Sequence, residues 1–266
     1  MARETALITG ASAGIGAEFA RQLAAEGMDL VVVARRMEAL EALKKEVEGR
    51  HGIRCEVIAR DLGDLDAPEA IHAETQRRGI TIDWLVNNAG FGTKGRFAEL
   101  GFEREMEEIR LNVLSLVALT RLYLPDMISR RRGQIVNVGS VGSFVPVPYM
   151  ATYGATKAFV LSFSEALATE LDGSGVRVLA LCPGATRTEF QKVAGVEGVV
   201  PDARYMSAAE VARQTIAAAR RGDRALVPSF MNKLAAILPR LLPRRTQAWI
   251  AGSMYRPREA SAPRRS

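Results

Sequence analysis

Short apolar runs alternate along this chain with longer stretches in which apolar residues recur every three or four positions. The first run, Thr5-Ala6-Leu7-Ile8-Thr9, has the length and bulk of a buried strand; Ile15, Phe19 and Leu23 then mark one face of a helix closed at Gly27. Residues 28–34 read as a second strand centred on Leu30-Val31-Val32-Val33. Met37, Leu40, Leu43 and Val47 follow as the buried stripe of a helix ending at Gly49. The same alternation predicts strands at 53–59, 82–86, 134–138, 176–181 and 224–227. It predicts helices at 67–78 and 99–130, one carrying Tyr153 on to about residue 171, and one at 207–221 capped by Ser207. Apolar strands separated by helices build parallel sheets covered on both faces. The expected architecture is therefore α/β, a doubly wound parallel sheet of about seven strands with ligands at the carboxyl ends of the strands.

The 266 residues, 48% hydrophobic and 25% charged, suffice for a large core and predict one globular domain. A net charge of +6 suggests nucleic acid until it is located. Seven arginines and one acid lie between Arg240 and Ser266, whereas the first 239 residues balance 29 basic against 29 acidic side chains. Basicity belongs to the tail, and no nucleic-acid partner is expected. Cys55 and Cys182 sit in apolar runs without metal-ligand spacing, and the chain has two histidines, so neither a metal site nor a disulfide is expected. Met1-Ala2-Arg3-Glu4 leads directly into the first strand, and no stretch reaches the roughly 18 apolar residues of a membrane span. A cytoplasmic location is the resulting expectation.

Candidate chemistry gathers at the predicted strand ends. Gly10-Ala11-Ser12-Ala13-Gly14-Ile15-Gly16, between the first strand and its helix, lets main chain approach a pyrophosphate at the positive end of a helix. Arg35 and Arg36 follow the second strand, where an acid would bind the ribose diol of NAD(H). Two guanidinium groups suit a 2′-phosphate instead, so NADP(H) is expected over NAD(H). Asp61 and Asn87 fall at the ends of the third and fourth strands. Asn112 lies among Leu111, Val113, Leu114 and Leu116, so its amide must find partners. Gly139-Ser140 end the fifth strand. Thirteen residues on, Tyr153-Gly154-Ala155-Thr156-Lys157 sets a phenol and an ammonium on one helix face, a turn apart. A positive charge beside a phenol favours the phenolate, so the pair can serve as acid or base. Val141, Phe144, Val145, Pro146, Val147, Pro148 and Tyr149 are expected in the core or as the wall of an apolar pocket. Residues 185–206, broken by Gly195, Gly198 and Pro201, are expected to form a lid.

Over about residues 4–228 these motifs resemble the single-domain short-chain dehydrogenase/reductases. The family's Thr-Gly-x-x-x-Gly-x-Gly stands here as Thr9 to Gly16 and its Asn-Asn-Ala-Gly as Asn87 to Gly90. Its asparagine, serine, tyrosine and lysine stand as Asn112, Ser140, Tyr153 and Lys157, and its proline-glycine as Pro183-Gly184. The resemblance implies a Rossmann-type fold and hydride transfer between a nicotinamide and the carbonyl or secondary alcohol of an apolar small molecule. In that role Tyr153 exchanges a proton with the substrate oxygen, and Lys157 holds the nicotinamide ribose and lowers the tyrosine pKa. Ser140 binds the carbonyl oxygen and Asn112 positions a water in a relay to Lys157. The resemblance also implies cofactor contacts from Gly10, Ser12, Gly14, Ile15 and Gly16 near the phosphates, Asp61 and Leu62 at the adenine, and Asn88, Ala89 and Gly90 beside the central strand. Pro183, Gly184, Thr186 and Thr188 are implied at the nicotinamide, with Arg35 first and Arg36 second on the 2′-phosphate. A homodimer or homotetramer is the implied assembly. Two alternatives are a nucleotide-binding regulator without catalysis, against which the complete four-residue set counts, and a peripheral membrane lipid- or steroid-type reductase anchored by its C-terminal helices.

Residues 1–229 are thus expected as the catalytic domain, 230–258 as a helical extension with helices at 231–242 and 246–255, and 259–266 as a disordered tail. Leu234, Ile237, Leu238, Leu241 and Leu242, with interleaved arginines, admit two readings. One is a pocket cover or subunit contact; the other is a basic amphipathic surface resting on anionic lipid.

Overall fold

The computed structural model describes residues 3–202 and 205–256, so the expected tail at 259–266 lies outside the described residues. Its strands are β1 (Thr5–Thr9), β2 (Asp29–Ala34), β3 (Cys55–Ala59), β4 (Trp84–Asn87), β5 (Gly133–Val138), β6 (Val176–Leu181), β7 (Thr186–Arg187), β8 (Met206–Ser207) and β9 (Ala225–Leu226). Seven of them form one parallel sheet in the order β3-β2-β1-β4-β5-β6-β9, as the alternation predicts, while β7 and β8 pair separately. The helices are α1 (Gly14–Ala25), α2 (Met37–His51), α3 (Ala67–Arg77), α4 (Phe102–Ile109), α5 (Ser115–Ser129), α6 (Ala151–Glu170), α7 (Phe190–Ala194), α8 (Ala208–Arg221), α9 (Phe230–Ile237) and α10 (Arg244–Tyr255).

Side chains of successive strand residues point to opposite faces, so an apolar strand feeds two cores at once. Ile8, Val32 and Val86 pack with Phe19, Leu23, Leu40 and Ile216 from α1, α2 and α8. Leu7, Val31 and Leu85 pack on the other face with Ile71, Leu119, Tyr123 and Leu167 from α3, α5 and α6. From β1 the chain winds outward through β2 and β3, then returns to β4 on the other side of β1. The connections after β1 and β4 therefore diverge and leave a crevice at the carboxyl edge, where doubly wound sheets bind ligands.

Three expectations change. The helix expected at 99–130 is divided into a short 3-10 turn (Phe97–Glu99), α4, a wide π turn (Arg110–Leu114) and α5. The π turn carries Asn112, whose side chain is bound by Phe91 and Thr156; such single wide turns are frequent at functional sites. Against the expectation of no candidate span, the run Phe102–Ser129 is long and apolar enough by composition to cross a membrane, with a mean hydropathy of 1.3. Here it packs against α3 and α6 and buries Leu119, Tyr123 and Met127 in the core. α2 runs through Gly49 to His51 and is capped by Gly52, because one glycine in a last turn costs less than the helix gains from a left-handed cap.

Candidate active site

The crevice begins at a hydroxyl. Thr9, the last residue of β1, donates from Oγ1 to the Val86 carbonyl (3.2 Å) and accepts from the amides of Asn88 (2.9 Å) and Ala89 (3.0 Å), which ties the ends of β1 and β4 together. Asn88 returns the link by donating its side-chain amide to the Thr9 and Gly10 carbonyls. Gly10 has φ of +66°, and a Cβ there would lie 2.8 Å from the Asn88 amide, so the turn accepts only glycine at this position. Gly16 is set against the Gly10 carbonyl, holding α1 tightly to β1. α1 starts at Gly14 with no side chain capping its first amides, and Gly10, Ser12, Gly14 and Ile15 line the crevice. Uncapped amides at the positive end of a helix, beside bare backbone, fit the pyrophosphate of a dinucleotide.

The two arginines after β2 separate. Arg36 lines the crevice, donates to Ser12 Oγ (3.3 Å) and pairs with Glu189 across the opening (2.9 Å). Arg35 points away onto Asp61 (3.4 Å), whose other oxygen accepts from the Gly63 amide. Of the two, Arg36 is the one that lines the crevice in this structure. Neither Asp61 nor Leu62 lines the crevice; the Leu62 side chain is core, and its carbonyl accepts from Ser115 Oγ.

Ser140, Tyr153 and Lys157 line the same cavity of about 450 Å³. Ser140 Oγ accepts from the Gly142 amide (3.1 Å), which fixes the oxygen and leaves its hydrogen free to donate. The Tyr153 ring is held against Phe190, with centroids 5.3 Å apart. Lys157 is buried, donates from Nζ to the Val138 carbonyl (2.8 Å) and lies 5.9 Å from the centre of the Tyr153 ring. Burial pushes the phenol above its ordinary range, partly offset by a hydrogen bond with Ser140. Burial also pulls Lys157 down to about 8. The spacing argument predicts a lowered phenol pKa; here burial pushes the phenol the other way, and it is Ser140 that partly offsets this. Asn112 lies behind them, bound to both main-chain groups of Phe91 and to Thr156 Oγ1 (3.1 Å). It does not touch Lys157. A Cβ on Gly90 would sit 2.8 Å from Asn112 Oδ1 and 3.2 Å from Lys157 Nζ, so only a glycine keeps that gap open.

The sequence profile described as short chain dehydrogenase matches residues 4–197. The chain belongs to the short-chain dehydrogenase/reductase family. This dehydrogenase is 39% identical over 213 residues to the sulfoacetaldehyde reductase of Chromohalobacter salexigens, covering 79% of the present chain and 83% of that protein. It is 34% identical over 201 residues to the very-long-chain 3-oxoacyl-CoA reductase of Phaeosphaeria nodorum, covering 74% of its own length and 59% of that longer protein. Among solved structures, the short-chain dehydrogenase from Sphingobium yanoikuyae in complex with NADPH superposes with a TM-score of 0.79 at 36% identity, over 99% of this chain and 100% of that one. Membership makes the protein an oxidoreductase that uses a nicotinamide dinucleotide and acts on carbonyl or alcohol groups.

The dehydrogenase walls the rest of its cavity with segments whose sequence carries no motif. Phe190, Val193, Val196, Val199, Val200 and Tyr205 come from the 185–206 segment, which is partly ordered as β7, α7 and β8. Asn232, Ala235, Met254 and Tyr255 come from α9 and α10, and Asn232 packs onto Gly184. The only signal for these residues was apolar character near a glycine-punctuated stretch. Of the apolar segment 141–149, Val141 alone lines this cavity; Phe144 to Pro148 border a separate cavity of about 460 Å³ with Arg244. The segment is thus not the main pocket wall, because Val147 packs into a core with Met150 and Val196.

A second buried cluster lies on α4. Glu108 is fully buried, and its Oε2 lies 2.8 Å from Thr93 Oγ1, while its Oε1 has no partner. The same Thr93 hydroxyl lies 2.5 Å from Glu105 Oε1, and Thr152 donates to Glu105 Oε2. One hydroxyl hydrogen cannot serve two carboxylates, so the cluster is satisfied when Glu108 keeps its own proton and donates it back to Thr93. Burial accordingly pushes the Glu108 carboxyl up to about 7. The cluster joins the loop after Gly90 to the start of α6 beside Tyr153.

Proposed function

We propose that the protein is an NADP(H)-dependent reductase of bulky apolar ketones, or a dehydrogenase of the corresponding secondary alcohols. One observation carries this reading: Arg36 and the uncapped start of α1 occupy one end of a cavity whose other end sets Ser140 and Tyr153 beneath apolar side chains. Two relatives support it, one in complex with NADPH and one named for very long acyl chains.

Arg36 and the Gly10–Gly16 turn hold the phosphates, and Arg36 favours the 2′-phosphate through paired charge-assisted hydrogen bonds. When bound, the nicotinamide supplies or accepts the hydride at the substrate carbon. Ser140 and Tyr153 donate to the carbonyl oxygen, whose negative charge grows as the C–O bond becomes single. Donors fixed there stabilise the transition state more than the ground state. Tyr153 then gives its phenolic proton to that oxygen, and burial keeps the phenol protonated until the charge develops. Lys157 holds the ribose hydroxyls and balances the phenolate left behind. Asn112 holds the loop at Phe91 behind Lys157.

Tyr153→Phe tests the assignment. Turnover of a ketone substrate followed by NADPH absorbance is expected to fall by roughly 10²- to 10⁴-fold, the range of a lost general acid, while NADPH fluorescence titration is unchanged. Normal turnover by the variant would refute the mechanism. The assembly, a homodimer or homotetramer, belongs to the same proposal.

A further inference from the structure

More than half of the large exposed apolar side chains on the described residues fall between Phe230 and Met254. Leu241 is 80% exposed, Trp249 73%, and Phe230, Met231, Ile237 and Leu238 are all more than half exposed. Each helix already has an inner face: Ala236 of α9 and Gln247 and Ala251 of α10 are buried, and Asn232, Ala235, Met254 and Tyr255 line the cavity. The exposed side chains point away from these inner faces, and no other described residue covers them. An apolar surface of this extent marks an interaction site.

Charge identifies the occupant. From Arg224 to Arg258 the sequence has no aspartate or glutamate, but it includes Lys233, Arg240, Arg244, Arg245 and Arg256. Lys233, Arg244 and Arg245 are exposed and have no carboxylate partner among the described residues. A second copy meeting this face about a two-fold axis would set arginine against arginine around the apolar centre, a repulsion with no acid to relieve it. An anionic bilayer offers both terms at once, acyl chains for the apolar side chains and headgroup charge for the cations. A tryptophan at the edge of such a face is at home in the headgroup layer.

We propose that the exposed apolar side chains of α9, α10 and the 3-10 turn between them (Leu238–Leu241) dock this enzyme on the surface of an anionic lipid bilayer. Because Met254 is both half exposed and part of the cavity wall, docking brings the wall of the substrate cavity to the lipid.

The chain has two tryptophans, Trp84 at 3% exposure in the core and Trp249 at 73% on the proposed face, so a vesicle-induced change in tryptophan emission reports Trp249. With vesicles of phosphatidylcholine and phosphatidylserine, the intact protein is expected to cosediment and its emission to shift to the blue. Pure phosphatidylcholine should retain little protein, and added salt should release what binds. Arg244→Ala with Arg245→Ala should weaken binding about thirtyfold. Leu241→Glu should weaken it by at least about tenfold, leaving ketone reduction in detergent-free buffer unchanged. Trp249→Phe should abolish the emission shift while binding persists. Protein that stays in the supernatant with anionic vesicles overturns the proposal. So does binding that ignores lipid charge, or a dimer in sedimentation velocity that Leu241→Glu dissolves, which would assign the face to a second copy.

Discussion

Arg35 and Arg36 are neighbours at the end of one strand, yet a single step of backbone sends them to different partners. Arg35 goes to Asp61 on the outside of the sheet edge, whereas Arg36 turns over Ser12 into the crevice and reaches Glu189 on the far wall. Both ion pairs are exposed and contribute little to stability, so each guanidinium can exchange its carboxylate for a stronger acceptor. A 2′-phosphate would replace Glu189 on Arg36. Arg36→Ala is expected to raise the NADPH dissociation constant by roughly 10- to 100-fold with little change for NADH, and Arg35→Ala to change either by less than about threefold. Fluorescence titration with both cofactors checks this; equal losses for the two would show that Arg36 does not read the phosphate. Tyr153 makes the complementary point: its helical spacing from Lys157 was legible, but the upward push on its pKa comes from desolvation, which spacing does not encode.

At the scale of elements, α4 and the π turn that follows it brace the site from behind. Asn112 fastens the turn to Phe91 and Thr156, while Glu105 and Glu108 fasten α4 to Thr93 and Thr152. Glu108 has its carboxyl raised from an ordinary 4.5 to about 7 in the folded protein. The folded state therefore binds more protons than the unfolded state between those values, and stability falls as pH rises through that window. Wild-type protein should lose up to about 3 kcal/mol between pH 4.5 and 7 from this group, and Glu108→Gln, which keeps a hydrogen-bonding side chain without titrating, should lack that slope. Urea denaturation across the window measures both, and parallel pH profiles would remove Glu108 from the account. A continuous helix at 99–130 was the sequence expectation. The wide turn escapes periodicity because it is stabilised by groups 21 and 44 residues away in the chain.

At the scale of the whole molecule, one seven-stranded sheet separates two cores, and the site depends on both because its residues hang from strand ends. Leu85, at the centre of β4 and fully buried, couples the α3-α5-α6 core to the strand that ends in Asn87-Asn88. Leu85→Ala is expected to lower unfolding free energy by about 2–5 kcal/mol and the melting temperature by roughly 5–15 °C. Calorimetry checks the shift; a loss below about 1 kcal/mol would mean the sheet tolerates a cavity at its centre.

What the chain determined by itself were the features written within a few residues: the strand and helix alternation, the glycine turn from Gly10 to Gly16, and the placing of Tyr153 and Lys157 on one helix face. Hydrophobic period and turn stereochemistry act over that distance, so they are readable without a partner. The tertiary structure alone decided which arginine faces the crevice, that burial pushes the Tyr153 phenol up, and that α9 and α10 help wall the cavity through Asn232 and Tyr255. Each of these is a matter of which distant side chains exclude water from, or bring charge to, a given atom. Burial and long-range contact are properties of the folded chain, and no local pattern carries them.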